Sequence, residues 1–132
     1  MKHLAMAVVV KQDKVLIQKR YRADRGMVFE FPGGKVRLDE TGTDAAIREL
    51  AEETGIKGLE HTATYTKVNE LGGRIYFVIL RARQEVQPTV LNESIKQELV
   101  WFDADDIPHD EFFSADREFI SQYLHQYIAT PA

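Results

Sequence analysis

The sequence predicts an α/β fold with helices on both faces of a mixed β-sheet. Three observations predict it. Segments of strand character come first, a helical segment follows, further strands come next, and a second helical segment ends the pattern. The chain has 132 residues, a length that favours one domain over 1–132. A hydrophobic content of 44% can fill a proper core.

Leu4–Lys11 and Lys14–Arg20 read as a hairpin joined by the polar Gln12-Asp13 turn. Tyr21–Met27 is a polar loop containing Gly26. Val28–Phe31 is short and aromatic, and Pro32-Gly33-Gly34 then bends the chain. Thr43 is the expected N-cap of the first helix, and Asp44 puts negative charge where the helix dipole favours it. Nothing from Ala45 to Thr54 breaks a helix, and Gly55 is placed to end it in the left-handed conformation. Leu59–Val68 and Arg74–Arg83 read as strands around a turn marked by Asn69, Gly72 and Gly73. Gln84–Glu98 is mostly loop, Leu99–Asp103 a strand, and Asp105–Pro108 a short turn. Ser114 is the expected N-cap of a final helix reaching Ile128, with Phe119, Ile120, Tyr123, Leu124 and Tyr127 on its inner face.

Composition narrows the function. The net charge of −4 argues against a nucleic-acid groove, although it leaves room for a nucleotide whose phosphates a metal holds. There is no cysteine, so disulfides and thiolate metal sites are excluded. No apolar stretch reaches the length of a membrane span, and Leu4–Val10 lacks the flanks of a signal peptide. A cytoplasmic monomer or homodimer with neither nucleic-acid nor membrane partner is expected.

At about 100° per residue, Ile47, Leu50, Ala51 and Thr54 fall on one side of the first helix. Arg48, Glu49, Glu52 and Glu53 fall on the other. The apolar side is expected to pack on the sheet. The carboxylates at i, i+3 and i+4 are neighbours that repel one another unless a cation sits among them. A solvated acidic face is the plain alternative. The surroundings argue against it: Gly34, Glu40, Arg48, Glu49, Leu50, Glu52, Glu53, Gly55 and Ile56 stand in the spacing G-x5-E-x7-R-E-U-x-E-E-x-G-U, where U is aliphatic. A chance match to these positions is on the order of one in ten million at usual residue frequencies.

By this pattern the chain resembles the Nudix hydrolases, which split diphosphate linkages attached to a nucleoside or similar group. The resemblance implies a Nudix α/β/α sandwich with the mixed sheet between helices. All-oxygen ligands of this kind suit Mg²⁺, with Mn²⁺ able to substitute. Glu49, Glu52 and Glu53 are the candidate metal ligands, and Glu49 doubles as a candidate acceptor of the proton from water. Its backward position on the helix points it toward the Gly33 corner. Arg48 is counted with the catalytic residues, in an orienting role, most simply toward Glu52 one turn on.

The upstream run Phe29-Glu30-Phe31-Pro32-Gly33-Gly34-Lys35 resembles the flank of the box in MutT-type nucleotide-sanitising hydrolases. There the carbonyl before the first box glycine is a metal ligand, which here is Gly33. Lys19, Arg20, Arg22 and Arg25 crowd one end of the second strand; a solvated loop is their plain alternative, and Arg20 is the best phosphate-binding candidate by resemblance. Asp116 falls near the place where these enzymes keep a residue that reads the purine edge, though it can equally serve the helix dipole. A further metal carboxylate is expected from Glu93 or Glu98, with Glu93 favoured. His3, His61, His109 and His125 are scattered and are read as bystanders, and Tyr76 and Phe77 as core.

The expected function is Mg²⁺-dependent hydrolysis of a nucleoside triphosphate, oxidised purine nucleotides included, to the monophosphate and pyrophosphate. The rival substrate class is a nucleoside diphosphate derivative such as ADP-ribose. The rival from another class is a non-catalytic ligand-binding module on the same scaffold.

Overall fold

The computed structural model describes residues 2–24, 26–69, 72–87 and 97–128. Seven strands form one mixed sheet: β1 (Leu4–Lys11), β2 (Lys14–Arg22), β3 (Gly26–Glu30), β4 (Gly33–Lys35), β5 (Glu60–Val68), β6 (Arg74–Arg81) and β7 (Gln97–Asp103). Helix α1 spans Gly42–Thr54 and helix α2 spans Ser114–Gln122. The strand path is β3-β2-β1-β6-β5, with β4 added to β1 and β7 to β2.

β1 is the hub. It runs parallel to β6 from Leu4↔Ile75 to Val10↔Arg81. Its opposite edge is shared: the hairpin end pairs with β2 at Val10↔Val15, and the other end pairs with β4 at Met6↔Gly33 and Ala5↔Gly34. β2 leaves β1 after the turn and pairs with β3 and β7 instead. The Gly-Gly segment expected only to bend the chain is therefore a short strand, and it carries the box's first glycine onto the sheet.

Strand alternation splits the core in two. Ala5, Ala7, Val9, Leu16, Val78 and Leu80 face α1, where they meet Ala45, Ala46 and Leu50. Val8, Val10, Ile17, Phe31, Phe77 and Ile79 face α2, where they meet Phe119 and Ile120. Phe77 stacks on Phe119 with ring centroids 4.5 Å apart. The helices thus cover both faces, as the order of segments predicts.

Several boundaries differ from the sequence reading. α1 starts two residues early, because the Thr41 hydroxyl, not that of Thr43, accepts from the Asp44 amide at 3.1 Å. Thr43 instead bonds to Thr64 across to β5. The buried stripe of α1 is Ala45, Ala46, Leu50 and Thr54, while Ile47 is left exposed. The small residues lie closest to the sheet, which lets the helix pack tightly. Gly42 is needed there because a Cβ would run into the Tyr76 ring. Ser114 is the first residue of α2 rather than its cap, and no side chain caps that end. α2 stops at Gln122, and Leu124–Tyr127 continues as a 3₁₀ turn that still buries Leu124.

Candidate active site

The acidic flank of α1 lies beside β4. The Arg48 guanidinium organises it. It makes a two-pronged bond to Glu40, Nη2 to Oε1 at 2.6 Å and Nε to Oε2 at 3.1 Å. Its Nη1 donates to Glu49 at 2.9 Å and to Glu52 at 3.2 Å, and its Nη2 also donates to the Lys35 carbonyl at 2.9 Å. One planar cation thus fixes three carboxylates and the end of β4, which suits the fork geometry of arginine. The expected pairing with Glu52 is present, but the principal partner is Glu40. That pairing holds the Glu40 carboxyl down to about 2, helped by the Arg37 amide that donates to it. Glu40 and Glu49 raise the Arg48 pKa in turn.

Glu53 has a different setting. Its carboxylate is largely sheltered and accepts from the Gly33 amide at 3.0 Å. Burial and the neighbouring Glu49 charge push its pKa up to about 7, against the Gly33 N–H and the positive charge of Arg20. The sequence reading aimed Glu49 at the Gly33 corner. In the structure Glu53 takes that corner, and Glu49 lies against Gly34, where a Cβ would come within 2.5 Å of its carboxyl carbon. Gly34 is required for that approach.

Among the described residues no three acidic or histidine side chains converge on one point as a closed metal cage. The cause is visible: Arg48 draws Glu49 and Glu52 to itself, while Glu53 turns to Gly33. The donor set is still all oxygen. The excess negative charge that raises Glu53 is what a hard divalent cation relieves, so the residues fit such an ion once the carboxylates rotate off Arg48.

Arg20 is half-buried on β2, paired with Val28 and Gln97 on its two sides, and its charge reaches Glu53. Asp116 lies in the first turn of α2, only 5% exposed, on the wall of a cleft of about 680 Å³. Burial and the nearby Glu30 push its pKa up to about 7. Among the described residues no group donates to its carboxylate, so the dipole role alone does not explain its burial. Glu93 falls in 88–96, outside the described residues. Glu98 is exposed on β7 opposite Lys19.

Glu30 is the residue that sequence reasoning missed. It is 6% exposed, accepts from Arg22 at 2.8 Å and from Gln18 at 3.4 Å, and lines the same cleft as Asp116. Its charge is felt by both Glu53 and Asp116. The signal was available: β3 alternates, and Glu30 shares the inward side with Val28 in an otherwise apolar strand. Gln18 beside it has a buried Oε1 with no partner. Of the histidines, His3 accepts the Arg74 amide through Nδ1 and does not enter the acidic cluster.

The geometry can be set beside known proteins. A family model described as NUDIX domain matches residues 1–123. The chain is 30% identical over 129 residues to a CTP pyrophosphohydrolase of Escherichia coli, covering 96% of this chain and 93% of that one. It is 34% identical over 67 residues to the 8-oxo-dGTP diphosphatase of the same organism, covering 49% of this chain and 51% of that one. Among solved structures it is similar to MutT of Aliivibrio salmonicida and Vibrio cholerae, with a TM-score of 0.76 and 26% identity over 95% of this chain and 98% of that one.

Proposed function

The chain belongs to the Nudix hydrolases, enzymes that act on nucleotide diphosphate bonds, and we propose that it splits a nucleoside triphosphate into the monophosphate and pyrophosphate. One observation carries this reading. The acidic flank of α1 and the cleft at the head of α2 adjoin through Glu30, whose charge reaches Glu53 on one side and Asp116 on the other. A triphosphate laid along that line puts its base in the cleft and its phosphates over the carboxylates.

Glu49, Glu52, Glu53 and the Gly33 carbonyl hold Mg²⁺ in this reading, with Glu93 as a further candidate and Mn²⁺ as a substitute. The ion supplies charge neutralisation on the phosphoryl oxygens and makes the attacking water more acidic. Glu49, set against Gly34, would take up a proton from the attacking water. Arg48 touches no substrate; anchored on Glu40, it holds Glu49 and Glu52 beside the site until an ion draws them off. Arg20, already facing Glu53, binds a phosphate. Asp116 meets the polar edge of the base, where a buried unpaired carboxyl gains most from a ligand partner. A single domain over 1–132 houses all of these parts.

A second reading concerns the base. An ionised Asp116 pairs with two donors, as the N1–H and amino group of guanine provide; a protonated one donates once and accepts once, as cytosine N3 and N4 require. A pKa near 7 leaves both open, and the purine reading comes from the flank that resembles MutT-type enzymes. Cytosine is favoured by the full-length similarity to the CTP pyrophosphohydrolase. Pyrophosphate release over a panel of normal and oxidised triphosphates, ADP-ribose and dinucleoside polyphosphates tests both. ADP-ribose outrunning every triphosphate overturns the proposal while leaving the family chemistry in place.

A further inference from the structure

The nucleoside cleft lies on the α2 side of the sheet. A second cleft of about 640 Å³ opens on the other face, between the start of β1, the loop after β4 and the start of α1. Lys2, Lys35 and Arg37 rim it, with Tyr76 and Gly42 at its floor. We propose that this cleft receives the pyrophosphate end of the substrate, with Arg37 and Lys2 as its phosphate contacts; the inference rests on the triphosphate reading above.

Four observations support it. First, the two clefts lie on opposite faces of the sheet at the same end. The α2-side cleft is lined by Met6 and Ile75, and the α1-side cleft by Tyr76, the next residue on β6. β4 ends at Lys35 on the rim of the second cleft, and Arg48 of the acidic flank binds the Lys35 carbonyl, so phosphates that extend past the carboxylates meet this rim. Second, a cation of the cleft reaches a candidate metal carboxylate: Arg37 Nη2 stands 3.8 Å from Glu52 Oε1. Third, the charge of its two lysines is not spent locally. Lys2 and Lys35 make no ion pair among the described residues, and the one carboxylate lining the cleft, Glu40, is held by both prongs of Arg48. Asp39, in the same loop, does not line it. Fourth, the loop is fixed in advance. Arg48 binds the Lys35 carbonyl, the Arg37 amide donates to Glu40, and the Val36 amide donates to the His3 carbonyl. A rim held this way loses little freedom on binding an anion.

The plain alternative is a set of solvated surface cations. It differs in a measurable way, because pyrophosphate and nucleoside monophosphate are the two products and only one of them is assigned to this cleft. The test is calorimetric titration of the full chain in Mg²⁺ with each product separately, for wild type, Lys2→Gln, Arg37→Gln and the double variant. Lys57→Gln, the loss of a distant surface charge, is the control. The double variant is expected to bind pyrophosphate about tenfold or more weakly, from loss of charged hydrogen bonds, while monophosphate affinity and the control stay within about twofold. Pyrophosphate affinity that does not move, or that moves together with monophosphate affinity, overturns the proposal. Arg37 neighbours Glu52, so Lys2→Gln alone, remote from the carboxylates, must show a smaller loss of the same kind. The two readings fail separately. If wild type splits no triphosphate, the function assignment fails whatever the titrations give; if it does and pyrophosphate binding is unmoved, only the cleft assignment fails.

Discussion

α1 and α2 each give the site a carboxylate surface, and they do so in opposite physical ways. α1 is capped at both ends: Thr41 closes the first turn, and Gly55, at φ 77°, closes the last with its amide on Ala51. Two of its acids, Glu49 and Glu52, share one guanidinium, and Glu53 accepts from the Gly33 amide. α2 starts with no side-chain cap, runs nine residues, and places one almost fully buried acid on a cleft wall beside another. The first surface is a charge store with its counterion built in. The second is an unmet hydrogen-bonding group whose cost to folding is relieved only by a proton or a ligand. One face therefore suits phosphate chemistry common to all substrates, and the other suits discrimination among them.

The contrast breaks most visibly at Glu53. Glu53→Gln keeps the shape and removes a ligand charge, so turnover should fall by about a hundredfold or more. The fold should remain, and thermal stability should hold or rise at neutral pH, because the residue is crowded by Glu49 and Glu30. Unfolding of the variant, seen by circular dichroism, would show a structural role instead. In the same class, exhaustive chelation should abolish activity and Mg²⁺ should restore it; full turnover after chelation would remove the metal from the account.

Arg48→Lys sharpens the α1 side. Lysine keeps the charge but cannot grip Glu40 with two prongs and still reach Glu49 and Glu52. A positioning residue lost in this way should lower kcat by about ten- to a hundredfold and weaken Mg²⁺ binding in a titration without nucleotide. Activity within twofold of wild type would mean that the carboxylates orient themselves.

Asp116 tests the α2 side in two ways. Asp116→Ala should change kcat/KM far more for the preferred base than for others, since the phosphate end is untouched. Unchanged ratios across bases would leave Asp116 as a structural residue. Its titration gives the second test. The folded value of about 7 lies above the ordinary 3.8, so between these values the folded protein binds the extra proton. Stability from this group is therefore full below about pH 4 and is lost as pH rises through 7. Asp116→Asn should flatten that slope and raise the melting temperature at pH 8; a variant as pH-sensitive as wild type would refute the buried-acid assignment.

What could be read from the sequence follows the range of the interactions. The acidic flank was legible because Arg48, Glu49, Glu52 and Glu53 are neighbours on one helix, and helix periodicity places them without knowledge of the rest. Arg48's hold on Glu40 was not, since eight residues of loop and helix separate them. The exchange of places between Glu49 and Glu53 depends on how β4 docks on β1, a register that no local pattern encodes. Glu30 lies inside the flank motif with no chemical role visible there, because its importance comes from Asp116, 86 residues away, and from the cleft that both line. Ile47 satisfied the apolar period but lost its place to Ala45 and Ala46, which bring the helix nearer to the sheet.

The smallest effect discriminates the two helix starts. Sequence made Thr43 and Ser114 the caps, and the structure gives that task to Thr41 alone. Thr41→Ala removes the acceptor for the Asp44 amide and should cost about 1 kcal/mol, read as a lower urea midpoint at constant slope. Ser114→Ala should cost less than about 0.5 kcal/mol, since α2 has no side-chain cap to lose. The two changes also separate stability from function. The α1 start lies beside the loop that carries Glu40, which Arg48 uses to hold the acidic flank. Thr41→Ala should therefore lower activity slightly along with stability, and Ser114→Ala should leave the urea midpoint nearly in place. A larger stability loss at Ser114 than at Thr41 would mean that α2 is the better-capped helix, and the contrast between a finished α1 and an unfinished α2 would fail at its simplest point.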